Sequence, residues 1–220
     1  MLSGMAFSGW PAEAVEFYEG LQADNTKAYW TDHKPVFDAC VHAPMAALLD
    51  ELAGEFGLGR IARPYRDVRF RADKSPYKTA IYAVLEDGGY VNFSADGLTV
   101  GIGYYQMAPD QLDRYRRAVA DDTAGAELVE VIGRLTAARI EVGGSSSLKS
   151  APRGYPKDHP RIELLRHKGL IAWRHWPPAP WLHTAAAKRR VVEFLRTAAP
   201  LQAWLDEQVG PSTAPPPAWR

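Results

Sequence analysis

In the first quarter of the chain, apolar residues recur at helical spacing and predict three helices. Trp10-Pro11 should open the first helix, because a proline in the first turn loses no needed N–H group. Asp24-Asn25-Thr26 offers side-chain oxygens that can cap the second. The third pattern covers residues 37–56, where Pro44 should kink the helix or divide it in two. Gly57-Leu58-Gly59 is expected to end it.

The middle of the chain alternates polar and apolar residues, as strands do. In Tyr65–Arg71 the charged side chains would share one face of a strand and the apolar side chains the other. The pair Asp96-Gly97 is a hairpin signal. Gly101 and Gly103 would lie on one strand face and leave room for a close approach to the backbone. These patterns predict an antiparallel meander, with further strands at residues 78–85, 90–95 and 98–105.

The last part of the chain returns to helical patterns. Strands are expected at residues 139–142 and 170–176, and helices at residues 109–120, 124–138, 160–168, 184–198 and 201–209. The whole pattern predicts an α+β fold in one compact domain, residues 6–209, with a central antiparallel sheet meander flanked by N-terminal and C-terminal helices. Residues 210–220, rich in proline and alanine, are expected to be disordered.

Composition narrows the class of protein. The chain has 220 residues and 46% hydrophobic content, which is enough for the core of one domain. The single cysteine, Cys40, excludes an internal disulfide framework and favours a reducing compartment. The first ten residues carry neither a basic region nor a long apolar run, so we expect no signal peptide and no membrane anchor. The sequence therefore predicts a soluble, cytoplasmic protein with no membrane partner.

A net charge of zero hides strong segregation along the chain. Residues 1–59 carry nine acidic residues against two lysines, whereas residues 60–78 carry seven cations against Asp67 and Asp73. Residues 143–175 again carry seven cations against two carboxylates. DNA- and RNA-binding domains usually have an overall basic excess, which this chain lacks, so nucleic acid is disfavoured as a partner. Two separate basic segments fit a compact anionic ligand better.

Several motifs recur in order across nearly the whole chain. The string Arg66-Asp67-Val68-Arg69-Phe70, followed by Asp73-Lys74-Ser75-Pro76-Tyr77-Lys78-Thr79, closely resembles the signature of the domain-of-unknown-function family 2461. Its members are conserved hypothetical proteins, mainly bacterial and in part fungal. The resemblance covers residues 6–209 and implies a single compact α+β domain without naming a reaction. It continues through Asn25, Trp30, Gly101-Ile102-Gly103-Tyr104, Leu148-Lys149, Pro152-Arg153-Gly154-Tyr155, Asp158-His159-Pro160 and Leu164-Leu165.

The sharpest hypothesis is a pocket for a small phosphorylated or carboxylated molecule. Arginine presents a planar fork of donors that suits phosphate and carboxylate groups, and tyrosines can stack on a ring or donate a hydroxyl. We expect the two basic segments to meet around a hollow, and Arg69→Ala to abolish ligand binding. The candidate ligand-binding residues are Arg66, Arg69, Arg71, Lys74, Tyr77, Lys78, Tyr104, Lys149, Arg153 and Tyr155.

Two alternatives remain open on the sequence. Asp67 can pair with Arg66 or Arg69 and Asp73 can cap its own turn, so the charged network can be purely structural. For these two aspartates the structural role is favoured. The chain can also be a non-catalytic interaction module if Trp173, Trp176 and Trp181 form an exposed patch rather than core. A nucleic-acid binder ranks third.

Catalytic signals are weak. Asp158 and His159 can form an acid–base pair beside Arg153, but His159 is also a plausible helix cap before Pro160. The six histidines show no metal-ligand spacing, and we expect neither a metal nor a cofactor. No P-loop or Gly-x-Ser-x-Gly string occurs, and Gly101-x-Gly103 is no dinucleotide fingerprint because it lies within a predicted strand. Cys40, among apolar neighbours, suits an inert thiol.

Overall fold

Helices form where apolar residues recur at helical spacing. The computed structural model describes residues 6–69 and 72–213. A π-helical segment, Phe37–His42, and a 3-10 turn, Pro180–His183, accompany the α-helices. In chain order these α-helices are α1 (Ala12–Ala23), α2 (Lys27–Val36), α3 (Ala43–Phe56), α4 (Pro109–Ala120), α5 (Asp122–Ala137), α6 (Ile162–Arg166) and α7 (Ala186–Gln208).

Several helix boundaries lie at the residues predicted to start or end a helix. Thr26 caps α2, where its hydroxyl accepts a hydrogen bond from the Tyr29 N–H. Gly57 ends α3 with a φ of 74°, a conformation that glycine adopts without strain. Pro44 lies in the first turn of α3, directly after the π-helical segment. The helical pattern of residues 37–56 is thus divided near Pro44, as expected from its missing N–H group.

Six strands form one sheet in the order β1-β2-β3-β4-β6-β5. The pairs β1–β2, β2–β3 and β5–β6 are antiparallel, and a two-residue turn at Ala95-Asp96 joins β3 to β4. The predicted class is confirmed: this is an α+β fold with an antiparallel sheet flanked by helices. The strands are β1 (Gly59–Ile61), β2 (Ala80–Leu85), β3 (Gly89–Ser94), β4 (Gly97–Tyr104), β5 (Glu141–Gly143) and β6 (Leu170–Trp176).

Contacts between residues cluster into two compact units. Unit 1 comprises Met1–Val100 and His175–Leu195, and unit 2 comprises Gly101–Arg174 and Arg196–Arg220. The boundaries fall inside β4 and α7 and near the end of β6, so the division follows regular elements and not a linker. The predicted extent of the domain, residues 6–209, stays a prediction.

The core of unit 1 is aromatic. Trp10 is fully buried and stacks on Phe93 of β3, with ring centroids 4.7 Å apart. The predicted inward face of β2 is buried at Ile81, Ala83 and Leu85. Unit 2 has its own core, in which Leu128 and Leu135 of α5 are buried and Trp204 of α7 donates its indole N–H to the Ala124 carbonyl.

The strand predicted at Tyr65–Arg71 is wrong over the described residues. Tyr65 forms only an isolated bridge with Tyr77, and residues 66–69 are irregular. The Asp67 carboxylate accepts the backbone N–H of Arg69, a local bond that competes with strand pairing. β2 pairs instead with β1. The expected strand face carrying Arg69 and Arg71 is therefore absent at Arg69, and Arg71 lies outside the described residues.

Two expectations near the C-terminus also need correction. The helices predicted at residues 184–198 and 201–209 are one helix, α7, with Pro200 inside it. Burial of Leu201, Trp204 and Leu205 outweighs the cost of an internal proline, about 3 kcal/mol. The tail predicted to be disordered from residue 210 contacts α4: the Asp110 carboxylate accepts the Ser212 hydroxyl and the Thr213 N–H. Residues 214–220 lie outside the described part.

Candidate functional site

The basic segment of unit 1 is a loop closed at its base by backbone hydrogen bonds. The Lys78 N–H donates to the Pro64 carbonyl at 2.8 Å, and the Arg66 N–H donates to the Pro76 carbonyl at 2.9 Å. Between these two bonds lies the bridge of Tyr65 with Tyr77. The charged side chains that the structure describes within residues 63–69 and 72–78 thus belong to one loop.

Two of its arginines are paired with aspartates of the same loop. Arg69 binds Asp67 through both Nε and Nη2, at 3.0 and 2.7 Å, and these bonds hold the pKa of Asp67 at about 2. Asp73 accepts the hydroxyl and N–H of Ser75 and also pairs with Arg66 at 2.6 Å, which holds its pKa at about 2. The Asp67–Arg69 pair and the Ser75 bonds of Asp73 are contacts that the sequence favoured, whereas the Arg66–Asp73 pair was not predicted.

Two lysines and one further arginine of the loop form no ion pair with a carboxylate among the described residues, although the charge of Arg63 helps to lower the pKa of Asp67. Lys74 donates to the Val68 carbonyl at 3.0 Å, and Lys78 donates to the Arg63 carbonyl at 2.8 Å. Burial, and then the nearby charge of Arg63, lower the pKa of Lys78. Arg63 itself is exposed. Arg63 was not among the predicted ligand-binding residues, although its position at the start of the basic stretch could have indicated it.

The aromatic residues of this loop divide into one buried and one exposed ring. Tyr77 is only 5% exposed and stacks on Trp30, with centroids 4.4 Å apart and planes 6° from parallel. Asn25 accepts the N–H of Tyr77 and donates to its carbonyl, so its amide fixes the backbone there. Tyr65 is 51% exposed beside Tyr77. Tyr77 therefore supports the loop, and Tyr65 is the ring open to solvent.

The candidate residues of unit 2 lie on β4 and on the irregular segment after β5. Tyr104 donates its hydroxyl to Asp206 of α7 at 2.9 Å, and burial together with this bond raises the pKa of Tyr104 to about 12. Lys149 and Arg153 are exposed and form no ion pair within residues 72–213. Tyr155 closes a turn with its N–H on the Pro152 carbonyl. That the two basic segments meet stays a prediction.

The acid–base candidates Asp158 and His159 lie just before α6. The Nδ1 atom of His159 accepts the N–H of Arg161 at 3.0 Å, just before α6. Asp158 is exposed. The helix-capping role foreseen for His159 matches this contact. Gly103, expected to allow a close approach to the backbone, faces the Leu170 carbonyl of β6, which a Cβ atom would approach to 2.4 Å.

A cleft in unit 2 contains none of the predicted residues. It has a volume of about 670 Å³ and lies where α4, α5 and the end of α7 converge. Its charged lining mixes cations and carboxylates, which the sequence did not group together. The lining residues are Arg114, Arg117, Ala118, Asp121, Thr123, Ala124, Glu127, Glu207 and Gln208.

Residues 6–69 and 72–213 contain neither a metal-binding cluster nor a membrane-spanning helix. No group of three or more histidine, cysteine, aspartate or glutamate side chains there is arranged to hold a metal ion. No helix in that part of the chain has the length and apolar character needed to cross a membrane. Trp176 is buried against the ring edges of Trp181 and Phe194, as expected for core.

Comparison with known proteins places the chain among conserved hypothetical proteins. The sequence profile of the conserved hypothetical family DUF2461 matches residues 13–204. No curated protein sequence matches. Among solved structures, a conserved hypothetical protein from Pyrococcus furiosus aligns over 77% of this chain and 95% of its own, with 10% identity and a TM-score of 0.39.

Proposed function

The chain belongs to the DUF2461 family of conserved hypothetical proteins, and from its own residues we propose that it binds a small anionic ligand. The ligand is a phosphorylated or carboxylated molecule, and Lys78 and Arg63 of unit 1 bind its charge. The observation that carries the proposal is the hydrogen bond from the Lys78 ammonium to the backbone carbonyl of Arg63, together with the lack of an ion pair to either side chain in the described chain.

The charge distribution within the loop supports this choice of residues. Asp67 is already paired with Arg69, and Asp73 with Arg66. The negative charges of both carboxylates are therefore balanced within the loop. Of the cations that form no ion pair in the described chain, Lys78 donates to the Arg63 carbonyl, whereas Lys74 donates to the Val68 carbonyl and is not assigned to the site. An anion that binds here would gain charge-assisted hydrogen bonds without breaking an existing ion pair.

The state of Lys78 supports it further. Burial, and then the charge of Arg63, lower the pKa of Lys78, so its ammonium form is less stable than that of a free lysine. A bound anion would offset the charge of Arg63, because it supplies a counter-charge at the same place. Tyr65, the exposed ring nearby in sequence, can cover an apolar part of the ligand.

A second role is favoured for the neighbouring arginines. The bidentate Arg69–Asp67 pair and the Arg66–Asp73 pair connect residues of one loop to each other. Such pairs shape the loop whether or not a ligand is present. We assign Arg66 and Arg69 this supporting role, and the cytosolic setting suggested by the lone cysteine fits a soluble metabolite as ligand.

The test is a thermal-shift titration at low salt with phosphate, sugar phosphates, nucleotides and dicarboxylates. A ligand at ten times its Kd should raise the Tm of the wild-type protein by about 3–6 °C. Lys78→Met should remove the shift. Lys74→Met is the matched control, because Lys74 also donates to a backbone carbonyl of this loop and should keep the shift.

Two results would contradict the proposal. One is a Lys78→Met variant that folds normally and keeps the full response to every ligand that shifts the wild type. The other is loss of the response in Arg69→Ala alone, which would move the site to the paired arginine first marked by the charge pattern. Isothermal titration of the same variants gives the affinities directly.

A further inference from the structure

A serine and a histidine contact each other in unit 2, away in sequence from the basic loop of unit 1. The Ser147 hydroxyl lies 2.7 Å from Nδ1 of His167, within normal hydrogen-bond length. Ser147 belongs to the Gly-Gly-Ser-Ser-Ser segment after β5, and His167 follows α6. Ser147 is exposed and the His167 imidazole is half-buried, so the serine is the more solvent-accessible of the two residues.

The backbone holds this pair in register. Ser147 and His167 form an isolated antiparallel bridge. On either side, the Leu148 N–H donates to the Arg166 carbonyl and the Lys168 N–H donates to the Ser146 carbonyl, both at 2.9 Å. The contact is therefore built from two fixed backbone segments.

A glycine makes room for the imidazole. A Cβ atom on Gly144 would lie 2.7 Å from Nδ1 of His167, so the chain passes against the ring at the atom that meets Ser147. Burial lowers the pKa of His167, and the charge of Glu163 opposes this only in part. A neutral ring that accepts the serine proton at Nδ1 carries its own proton on Nε2, the state that a general base requires.

We propose that Ser147 is a nucleophile and His167 its general base, in the cleavage of small carboxylic esters. The Ser147 oxygen attacks the ester carbonyl carbon while its proton passes to Nδ1 of His167. The bond to the alcohol breaks, and the alcohol leaves with that proton. A water molecule then attacks the acyl-serine, gives a proton to His167 and releases the carboxylic acid, and the proton returns to the serine oxygen.

No carboxylate of the described residues forms a hydrogen bond with His167, and this limits the substrate class. Glu163 is engaged with Arg166 at 2.6 Å, and no described side chain binds Nε2. The imidazolium formed during attack thus lacks the partner that stabilises it in a full triad. Esters with good alcohol leaving groups suit such a two-residue site better than amides, whose amines leave only after protonation.

The experiment uses the full chain and a fluorophosphonate probe, which reacts with activated serines. The serine oxygen displaces fluoride at phosphorus, and peptide mass spectrometry identifies the modified residue. The wild-type protein should be labelled at Ser147, and Ser147→Ala should not be labelled. His167→Gln should react at least about 100-fold more slowly, because a general base usually contributes that factor or more to the rate.

Ser145→Ala is the matched control, because Ser145 lies in the same segment but donates to the Tyr105 carbonyl. It should be labelled at the wild-type rate. The proposal is independent of anion binding by the loop of unit 1. A wild-type protein without an adduct on Ser147 overturns the proposal. So does a His167→Gln variant with wild-type Tm and unchanged labelling; if that variant unfolds, the adduct position and Ser147→Ala decide.

Discussion

At the scale of single residues, Asn25 shows how one side chain can hold a loop. Its amide is bonded to both the N–H and the carbonyl of Tyr77, at 3.0 and 3.1 Å. Tyr77 in turn stacks on Trp30. The sequence marked Tyr77 as a ligand-binding residue because tyrosine can stack on a ligand ring, but the ring it stacks on belongs to its own chain.

Asn25→Ala should destabilise the protein by about 1–3 kcal/mol, because two part-buried backbone groups lose their partner. Denaturant unfolding measures this difference. Asn25→Asp should lie between the alanine variant and the wild type, since the carboxylate keeps the acceptor and loses only the donor. An unchanged unfolding midpoint for Asn25→Ala would show that these bonds do not support the loop.

At the scale of elements, β4 is shaped by what passes beside it. Gly103 has a φ of 125°, and a Cβ atom there would lie 2.4 Å from the Leu170 carbonyl of β6. The glycine pattern correctly indicated a close approach to this strand. It did not reveal that the approaching group is a neighbouring strand, because periodicity within one segment carries no information about strand order.

Gly103→Ala should therefore lower stability by several kcal/mol or prevent folding, since both the backbone conformation and the contact with β6 forbid a side chain. Gly133→Ala is the control. Gly133 lies inside α5, and no atom of a neighbouring element comes within 4 Å of the place its Cβ would take, so alanine there should stabilise by about 0.5–1 kcal/mol. Thermal and denaturant unfolding compare the two. Equal effects in both variants would contradict this interpretation of β4.

At the scale of the whole molecule, the net charge is zero, but local hydrogen bonds lower the pKa of several carboxylates. Folding lowers the pKa of Asp67 and of Asp73 to about 2, in each case through hydrogen bonds within the loop. Asp121, which caps α5 by accepting the Thr123 and Ala124 N–H groups, also has a lowered pKa. The ionised forms are thus favoured in the folded protein.

These shifts predict loss of stability in acid. A carboxyl whose pKa is lowered by folding stabilises the protein above its unfolded pKa, near 4, and loses that effect as pH falls through the folded value of about 2. The Tm should fall between pH 4 and pH 2. In a variant carrying both Asp67→Asn and Asp73→Asn, the fall should be shallower, and an identical slope would contradict the assignment.

Local patterns in the sequence determined much of this protein. The cap at Thr26, the stop at Gly57, the inward face of β2 and the extent of β6 all follow from the chemistry of adjacent residues. The pairing of Asp67 with Arg69 and the turn closed by Asp73 were predicted for the same reason, because their partners lie two residues away.

Only the tertiary structure decided the rest. It joined the last two predicted helices through Pro200, because burial of α7 outweighs one missing hydrogen bond. It also brought Ser147 opposite His167 and filled the space beside Gly103 with β6. Such outcomes depend on residues distant in sequence, whose pairing is selected by the packing of the folded chain and leaves no periodic trace in either segment.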